Sequence, residues 1–520
     1  AAAAVAAAGR HAPWAALAGG VLLSFAFAPF ALWPLAVLAP ALLFWLLEGA
    51  APGRAAWLGF CFGVGCFTAG TWWLFVSIQG FGGAPVWLAV LLVAGLVAVM
   101  SGYLALLGGL AARVLPATGA WRWLAGLPAL WWLIEWLRGW FLSGFGWLSL
   151  GYSQVDTWLA GFAPVGGAHL ISFLLAMMAG ALVMLRARGA ARSATRGATW
   201  GATWGAVGLP LAVLLLPWPL GAALDRIDWT RAAGAPVRVA VVQGAIPQDQ
   251  KWVADNLDAT MRRYRDLTLP ELGTPLVVWP ESAIPDLANH YIEFLQSLSR
   301  EARARGTGLL LGLIRQEPTE PGEPPRYFNS ILALDEDLQF HDKHHLVPFA
   351  EFFPVPKVVR RWMRMMNLPY SDFTAGGAEQ KPLRIAGLVL EASICYEDAY
   401  APTRLRGLRE ATALVNVTND AWFADSPARY QHLQISRMRA QEARRDLIRA
   451  ANDGVSAVIG PRGELRATAP EYRPAVLRST VEPRTGLPPY ARTGNLPLLA
   501  FAGLLLLLAV ARARPWAGRP

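Results

Sequence analysis

The chain has 520 residues, too many for one ordinary domain, so two or more units are expected. It is 55% hydrophobic and only 16% charged, which excludes a wholly soluble chain and puts part of it in lipid. The net charge of +10 comes without any nucleic-acid-binding motif, so the arginines are assigned to orienting membrane helices, and three scattered cysteines give no disulfide framework.

In chain order, apolar stretches of spanning length lie at roughly 13–29, 31–48, 55–78, 85–112, 121–142, 166–186 and 200–219, with a last one at roughly 495–511. Each is near the ~20 residues that cross a bilayer core. The first is followed at once by a second span without a convincing cleavage site, so it is read as a helix and not as a signal peptide. Pro29 and Pro34 make the boundary between the first two the least defined. Arg10, Arg54, Arg113, Arg122, Arg186, Arg188, Arg192, Arg196, Arg512, Arg514 and Arg519 fall on alternate connections, whereas "QGFGGAP" (79–85) is uncharged. By the positive-inside rule both termini are cytoplasmic. Seven crossings then put whatever follows on the outer side, the periplasm in a bacterium.

From about 225 to 490 charges become frequent and apolar runs shorten to strand length. The expected organisation is a membrane part at 1–224, an outward-facing domain at 225–490, and a last helix with a cytoplasmic tail at 491–520. In the middle part, β-type runs at 237–244, 275–282, 308–314, 329–335, 383–395, 411–419 and 456–461 alternate with helical segments such as 253–267 and 292–306. That alternation predicts a layered α/β domain with its chemistry at strand ends. Neither G-x-G-x-x-G nor a P-loop is present, so nucleotide phosphate binding has no support.

Three strand ends carry reactive side chains: Glu281 in "VVWPESAIP", Lys343 in "FHDKHHLVPFAEFFP" and Cys395 in "LEASICYED". Singly, such residues are more often a solvated acid, a solvated amine and a small buried hydrophobe. In this order they resemble the Glu–Lys–Cys triad of the carbon–nitrogen hydrolase (nitrilase) superfamily, which is carried on an αββα sandwich. With "VVQGAIPQDQKW", "YFNS", "KHHLVPFAEFFP", "NVTNDAWF" and the surrounding helices, nearly the whole chain is similar to the apolipoprotein N-acyltransferase family. One departure is Ala350, where the family pattern has Gly.

A thiol at its free pKa of about 8.5 is mostly protonated at neutral pH and needs activation. Glu281 can take its proton as general base, and Lys343 is a fixed cation for the developing oxyanion. A neighbouring backbone N–H, such as that of Tyr396, is a candidate to complete the oxyanion hole. The resemblance implies the same roles and adds Trp252, Glu351, Tyr396 and Glu397 as supporting residues. Glu351 would hold Lys343 charged and oriented. Trp252 could equally be a packing or interfacial indole among 24 tryptophans. Asp398 is read as a turn or surface residue, and Asn416, Asn419 and Asp420 as turn formers near the site.

The fold class expected is thus a multidomain membrane protein, an eight-transmembrane-helix bundle plus a nitrilase-like αββα sandwich. The resemblance implies an enzyme of the bacterial inner membrane that needs no cofactor and no metal. It would move an acyl chain from a phospholipid sn-1 ester, through a Cys395 thioester, to the α-amine of a diacylglyceryl apolipoprotein. The alternative is a membrane-tethered amidase with water as acceptor. His341, His344 and His345 look like a metal cluster, but the chemistry requires none. "SRMRAQEARRDLIRA" (436–450) is read as a basic solvated helix. "VVRRWMRMMNLPY" (358–370) mixes Arg, Trp and Met as in a segment at a lipid interface, either a substrate gate or a structural loop.

Overall fold

The computed structural model describes residues 9–194, 200–320, 323, 325–352, 373–401, 405 and 407–513. The expected interfacial segment 358–370 lies outside the described residues. The chain divides into two compact units, one of Ala1–Phe75, Ala84–Asp228 and Thr493–Pro520, the other of Val76–Gly83 and Trp229–Arg492.

The first unit is helical. Its main helices are Ala12–Ser24, Leu35–Leu46, Pro52–Thr71, Val86–Val114, Leu127–Arg138, Ala163–Ala194, Trp200–Leu215, Pro217–Asp225 and Leu496–Ala513. Among the described residues, four helices are long and apolar enough to cross a bilayer: Val86–Val114, Trp158–Ala187, Val207–Asp225 and Leu496–Ala513. A fifth span results if Pro52–Thr71 is joined to Trp73–Phe81 across a 53° bend. This is fewer than the eight expected. Ala12–Ser24 has 13 residues and Leu35–Leu46 has 12, with Pro40 inside it. At 1.5 Å per residue such helices are about 18–20 Å long, short of the ~30 Å hydrocarbon core. Leu127–Arg138 also has only 12 residues.

Small residues let the helices of this unit meet backbone to backbone. A Cβ at Gly59 would lie 2.1 Å from the Leu104 carbonyl oxygen, and one at Gly108 would lie 2.2 Å from that of Ala55, so Pro52–Thr71 and Val86–Val114 interlock through glycine. Arg122, expected in a connection, is 98% buried, and its guanidinium donates to the carbonyls of Leu47, Ala111 and Pro116 near helix ends.

The second unit is a sandwich. A short antiparallel pair, β1 (Arg231–Ala232) and β15 (Arg484–Thr485), stands apart; the first large sheet runs β14 (Ala475–Val481), β2 (Val237–Gln243), β3 (Leu276–Val278), β5 (Gly308–Glu317), β6 (Arg326–Leu334), β7 (Leu338–Asp342), with β4 (Ile284–Leu287) also on β5. The second runs β13 (Leu465–Thr468), β12 (Ala457–Ile459), β11 (Leu447–Ala451), β10 (Ala413–Thr418), β9 (Leu388–Ile394), β8 (Leu383–Ile385). The centres of both sheets, β2-β3-β5 and β9-β10-β11, are parallel, so their carboxyl ends point together to one edge.

The two-residue period of each strand builds the layers. Val239 and Val241 of β2 face Leu390, Ala392, Val415 and Ile448 of the other sheet in one core. Ala240 and Val242, one residue out of step, join Met261, Tyr264, Leu298 and Ala302 of the helices Leu257–Thr268 and Ile292–Arg303 in a second core. On the far face, Leu414 and Leu447 pack with Leu433, Ala440 and Ala443 of the helix Ala428–Ala443. The layers are helix, sheet, sheet, helix.

The basic solvated helix expected at 436–450 is corrected on two counts. The helix ends at Ala443 with Arg444 in a left-handed conformation, and residues 447–451 form β11 inside the sheet. Nor is it solvated: Arg439, Glu442, Arg445 and Arg449 are all at least 97% buried. Their charges are met inside the protein, Arg439 by Glu442 at 2.6 Å and Arg449 by Asp420 at 2.7 Å.

Candidate active site

Glu281 stands three residues beyond β3, where Trp279 and Ala283 hydrogen-bond the β5 backbone at Leu310 and Gly312. The turn is tight, and Ser282 takes a positive φ of 48°. The Glu281 side chain is buried, yet both its oxygens are occupied. Oε1 accepts from Asn329 Nδ2 at 2.8 Å and faces Lys343 Nζ at 3.4 Å; Oε2 accepts from the backbone N–H of Asn419 at 2.9 Å.

Lys343 follows β7 directly and is 99% buried. Its Nζ lies 2.8 Å from Glu351 Oε1. Burial pulls the ammonium toward neutrality, but Glu351 and Glu281 together outweigh it and hold the pKa above the ordinary lysine value. Glu351 is fixed in turn: Asn329 donates to its Oε1 at 3.0 Å and the Val347 N–H to its Oε2 at 2.9 Å. The left-handed residue in this loop is Phe349, with φ 64°; Ala350 is not among the residues of positive φ, so it fits where the family pattern has Gly.

Cys395 ends β9 and opens the short helix Cys395–Ala399 with φ 52°. The thiol pKa is raised, first by burial and then by Glu281, with Lys343 opposing. Cys395 is therefore held toward the thiol form, within electrostatic reach of a carboxylate and an ammonium.

Glu397 is a fastener. Its carboxylate accepts from the N–H groups of His344 at 2.8 Å and His345 at 3.0 Å, just after Lys343, and of Ile394 at 2.8 Å, just before Cys395. One buried side chain thus ties the segment after Lys343 to the strand end before Cys395. Burial alone would raise its pKa, but His341 and these N–H groups bring it down to about 2. Tyr396 is half-buried, edge-on to Tyr400 at 5.3 Å, and Tyr400 stacks on His345 at 4.0 Å. Trp252 is not a core indole: it is 46% exposed, with Lys251 Nζ 5.9 Å from its ring. Asp398, expected at a turn or surface, is wholly buried and receives hydrogen bonds from Ser393 at 2.8 Å and Ser436 at 2.5 Å.

The three histidines have separate engagements: His344 Nδ1 with the Gly376 carbonyl at 2.7 Å, His341 with Glu397 at 3.9 Å, and His345 with Tyr400. Among the described residues no group of three or more His, Cys, Asp or Glu is placed to hold a metal ion.

Sequence reasoning missed Asn329, which bridges Glu281 and Glu351. Its signal was an amide inside a largely apolar strand. It also missed Lys251, 99% buried, which donates to the Glu281 carbonyl at 3.1 Å. Burial, only partly offset by Glu281 and Asp453, lowers its pKa to about 8. Nothing in "QDQKW" signals a buried lysine.

Residues 19–181 match the family described as "Apolipoprotein N-acyltransferase N-terminal domain", and residues 238–485 match "Carbon-nitrogen hydrolase". Relatives named "Apolipoprotein N-acyltransferase" include one from Azotobacter vinelandii, 42% identical over 96% of this chain and 95% of its own. Others come from Methylococcus capsulatus, 40% identical over 96% of each chain, and Chromobacterium violaceum, 40% identical over 95% of this chain and 92% of its own. Among solved structures, the C. elegans NitFhit protein is 16% identical over 55% of this chain and 66% of that one, with a TM-score of 0.38, too low to bear on the fold. The Glu–Lys–Cys constellation thus lies within the carbon–nitrogen hydrolase match, in a chain that matches these relatives over 95–96% of its length: it belongs to the apolipoprotein N-acyltransferase family.

Proposed function

We propose that this protein transfers the sn-1 acyl chain of a phospholipid to the α-amine of the N-terminal S-diacylglyceryl-cysteine of apolipoproteins, by way of a thioester on Cys395. The observation that carries the reading is the buried contact set Glu281–Lys343–Glu351–Asn329 next to a thiol at a left-handed strand end. Glu281 takes the Cys395 proton as the sulfur bonds to the ester carbon, and the carbonyl oxygen becomes an oxyanion stabilised by Lys343. When the C–O bond to glycerol breaks, Glu281 returns the proton to the departing oxygen, and lysophospholipid leaves. The acceptor amine then attacks the thioester. Glu281 removes one amine proton and delivers it to the Cys395 sulfur, giving the amide and free enzyme.

Glu351 keeps Lys343 charged through both halves, Glu397 holds it in register with Cys395, and Trp252 and Tyr396 contribute apolar surface at the rim for the lipid substrates. The catalytic unit is the periplasmic segment 225–490, held by seven helices in 1–224 and one in 491–520, with both termini cytoplasmic at the bacterial inner membrane. The support is the arginine pattern of alternate connections and the run of eight apolar segments. With this topology both lipids can approach laterally while their tails stay in hydrocarbon.

The test is to incubate the purified protein with phosphatidylethanolamine and a diacylated lipopeptide and to weigh the products. One acyl chain gained on the peptide amine, with one lysophospholipid released per transfer, is the expected result. Free fatty acid formed as fast as acylated peptide would instead mean that water is the acceptor and would overturn the reading.

A further inference from the structure

The left-handed conformation of Cys395 has to be held, and the chain that holds it lies on the opposite side of the thiol from Glu281 and Lys343 in sequence. The Cys395 carbonyl faces His432 Nε2 at 3.1 Å and Asn416 Nδ2 at 3.3 Å. His432 comes from the helix Ala428–Ala443 and is 99% buried; its Nδ1 lies 3.0 Å from Asp420 Oδ1. A carboxylate and a peptide carbonyl are both acceptors, so the imidazole bridges Asp420 and the Cys395 carbonyl as a donor. Asp420 is buried outright, which by itself would favour the neutral acid. Arg449, at 2.7 Å, and His432 outweigh that burial and hold it well below the usual carboxylate range. Arg449 is fixed further by Asn416 Oδ1 at 3.0 Å and Ser436 Oγ at 2.9 Å.

The Thr418 hydroxyl donates to Asp420 Oδ1 at 3.1 Å, so the carboxylate that meets His432 is itself held by Arg449 and Thr418. We infer that His432, anchored on Asp420, is a positioning residue that clamps Cys395 at its carbonyl, so that the sulfur meets the acyl carbon in a reactive orientation. The inference rests on the proposal that Cys395 is the nucleophile. His432 acts through the cysteine.

The experiment measures acyl-enzyme formation from phosphatidylethanolamine in mixed micelles. It uses the full-length protein and its Cys395→Ala, His432→Leu and His432→Gln variants, together with the rate of Cys395 alkylation followed by peptide mass. A misplacement of about 1 Å in a catalytic group can cost about 100-fold in rate. His432→Leu is therefore expected to slow acylation at saturating donor by about 100-fold, with KM for the donor within about threefold of wild type, and to change the alkylation rate in parallel. His432→Gln, which keeps a donor for the carbonyl, should recover at least about tenfold over His432→Leu. Wild-type acylation in His432→Leu, with Cys395→Ala inactive, overturns the clamp and leaves the nucleophile standing. So does equal loss in conservative and non-conservative variants with kcat and KM moving together. Acyl-enzyme in Cys395→Ala overturns the underlying reading instead.

Discussion

Glu397 draws two separate segments of the chain together. It joins the strand end before Cys395 to the loop after Lys343 through three backbone N–H groups. Hydrogen bonds to a buried charge are each worth about 1.5–3 kcal/mol, so Glu397→Gln should destabilise the protein by about 2 kcal/mol or more, read as a lower thermal midpoint in detergent. Because its folded pKa is depressed to about 2, its stabilisation is complete above the unfolded value near 4.5 and is lost as the pH falls toward and through about 2. The midpoint of Glu397→Gln should therefore approach that of the parent in acid, and a constant gap across this window would refute the assignment. Lys251 gives a slope of the same sign in a different pH window. Its pKa falls from 10.5 to about 8 on burial, so the folded state sheds the proton first and relative stability rises with pH from about 8 to about 10.5. Lys251→Met should flatten that rise; an unchanged slope would show that the amine is not desolvated.

At the scale of elements, the site depends on strands that end in step and on one close approach. A Cβ on Gly312 in β5 would lie 2.2 Å from the Pro280 carbonyl oxygen and 2.7 Å from Glu281 Cα. Gly312→Ala must push the Glu281 turn away from the sheet, with a packing cost of about 1–3 kcal/mol and a loss of about 100-fold in acyl-enzyme formation. Normal kinetics in this variant would show that the Glu281 position is not critical. Most strands were legible because their apolar residues alternate or run continuously. Two features were not. The stretch 436–450 looks like a basic helix because Arg449 interrupts its apolar pattern, but that charge is neutralised by Asp420, a partner 29 positions earlier. The run at 383–395 looks like one strand, yet Ala386 and Gly387, with φ 49° and 75°, fold it into the hairpin of β8 and β9. Motif spacing located Glu281, Lys343 and Cys395, whereas Asn329 and His432 matter through contacts 48 and 37 positions away, which no local pattern reports.

For the whole molecule, composition announced a membrane protein and the two-unit division of the chain. Of its eight apolar runs, four or five are continuous helices of spanning length among the described residues, whereas the first two form helices of 13 and 12, because hydropathy counts apolar residues and not where a helix breaks. The proposed topology has a direct consequence. With Leu338, 60% exposed on the second unit, replaced by cysteine in a Cys395→Ala background, a membrane-impermeant maleimide should label intact spheroplasts. Labelling only after permeabilisation would place that unit in the cytoplasm. The central claim is that the acyl chain passes through Cys395, and the most direct measurement is the intact mass of the protein after incubation with phosphatidylethanolamine alone, followed by peptide mapping. The account predicts one acyl adduct, localised to the peptide containing Cys395, labile to hydroxylamine, and discharged when diacylated lipopeptide is added. An adduct elsewhere in the chain, or one that the lipopeptide leaves in place, would contradict it.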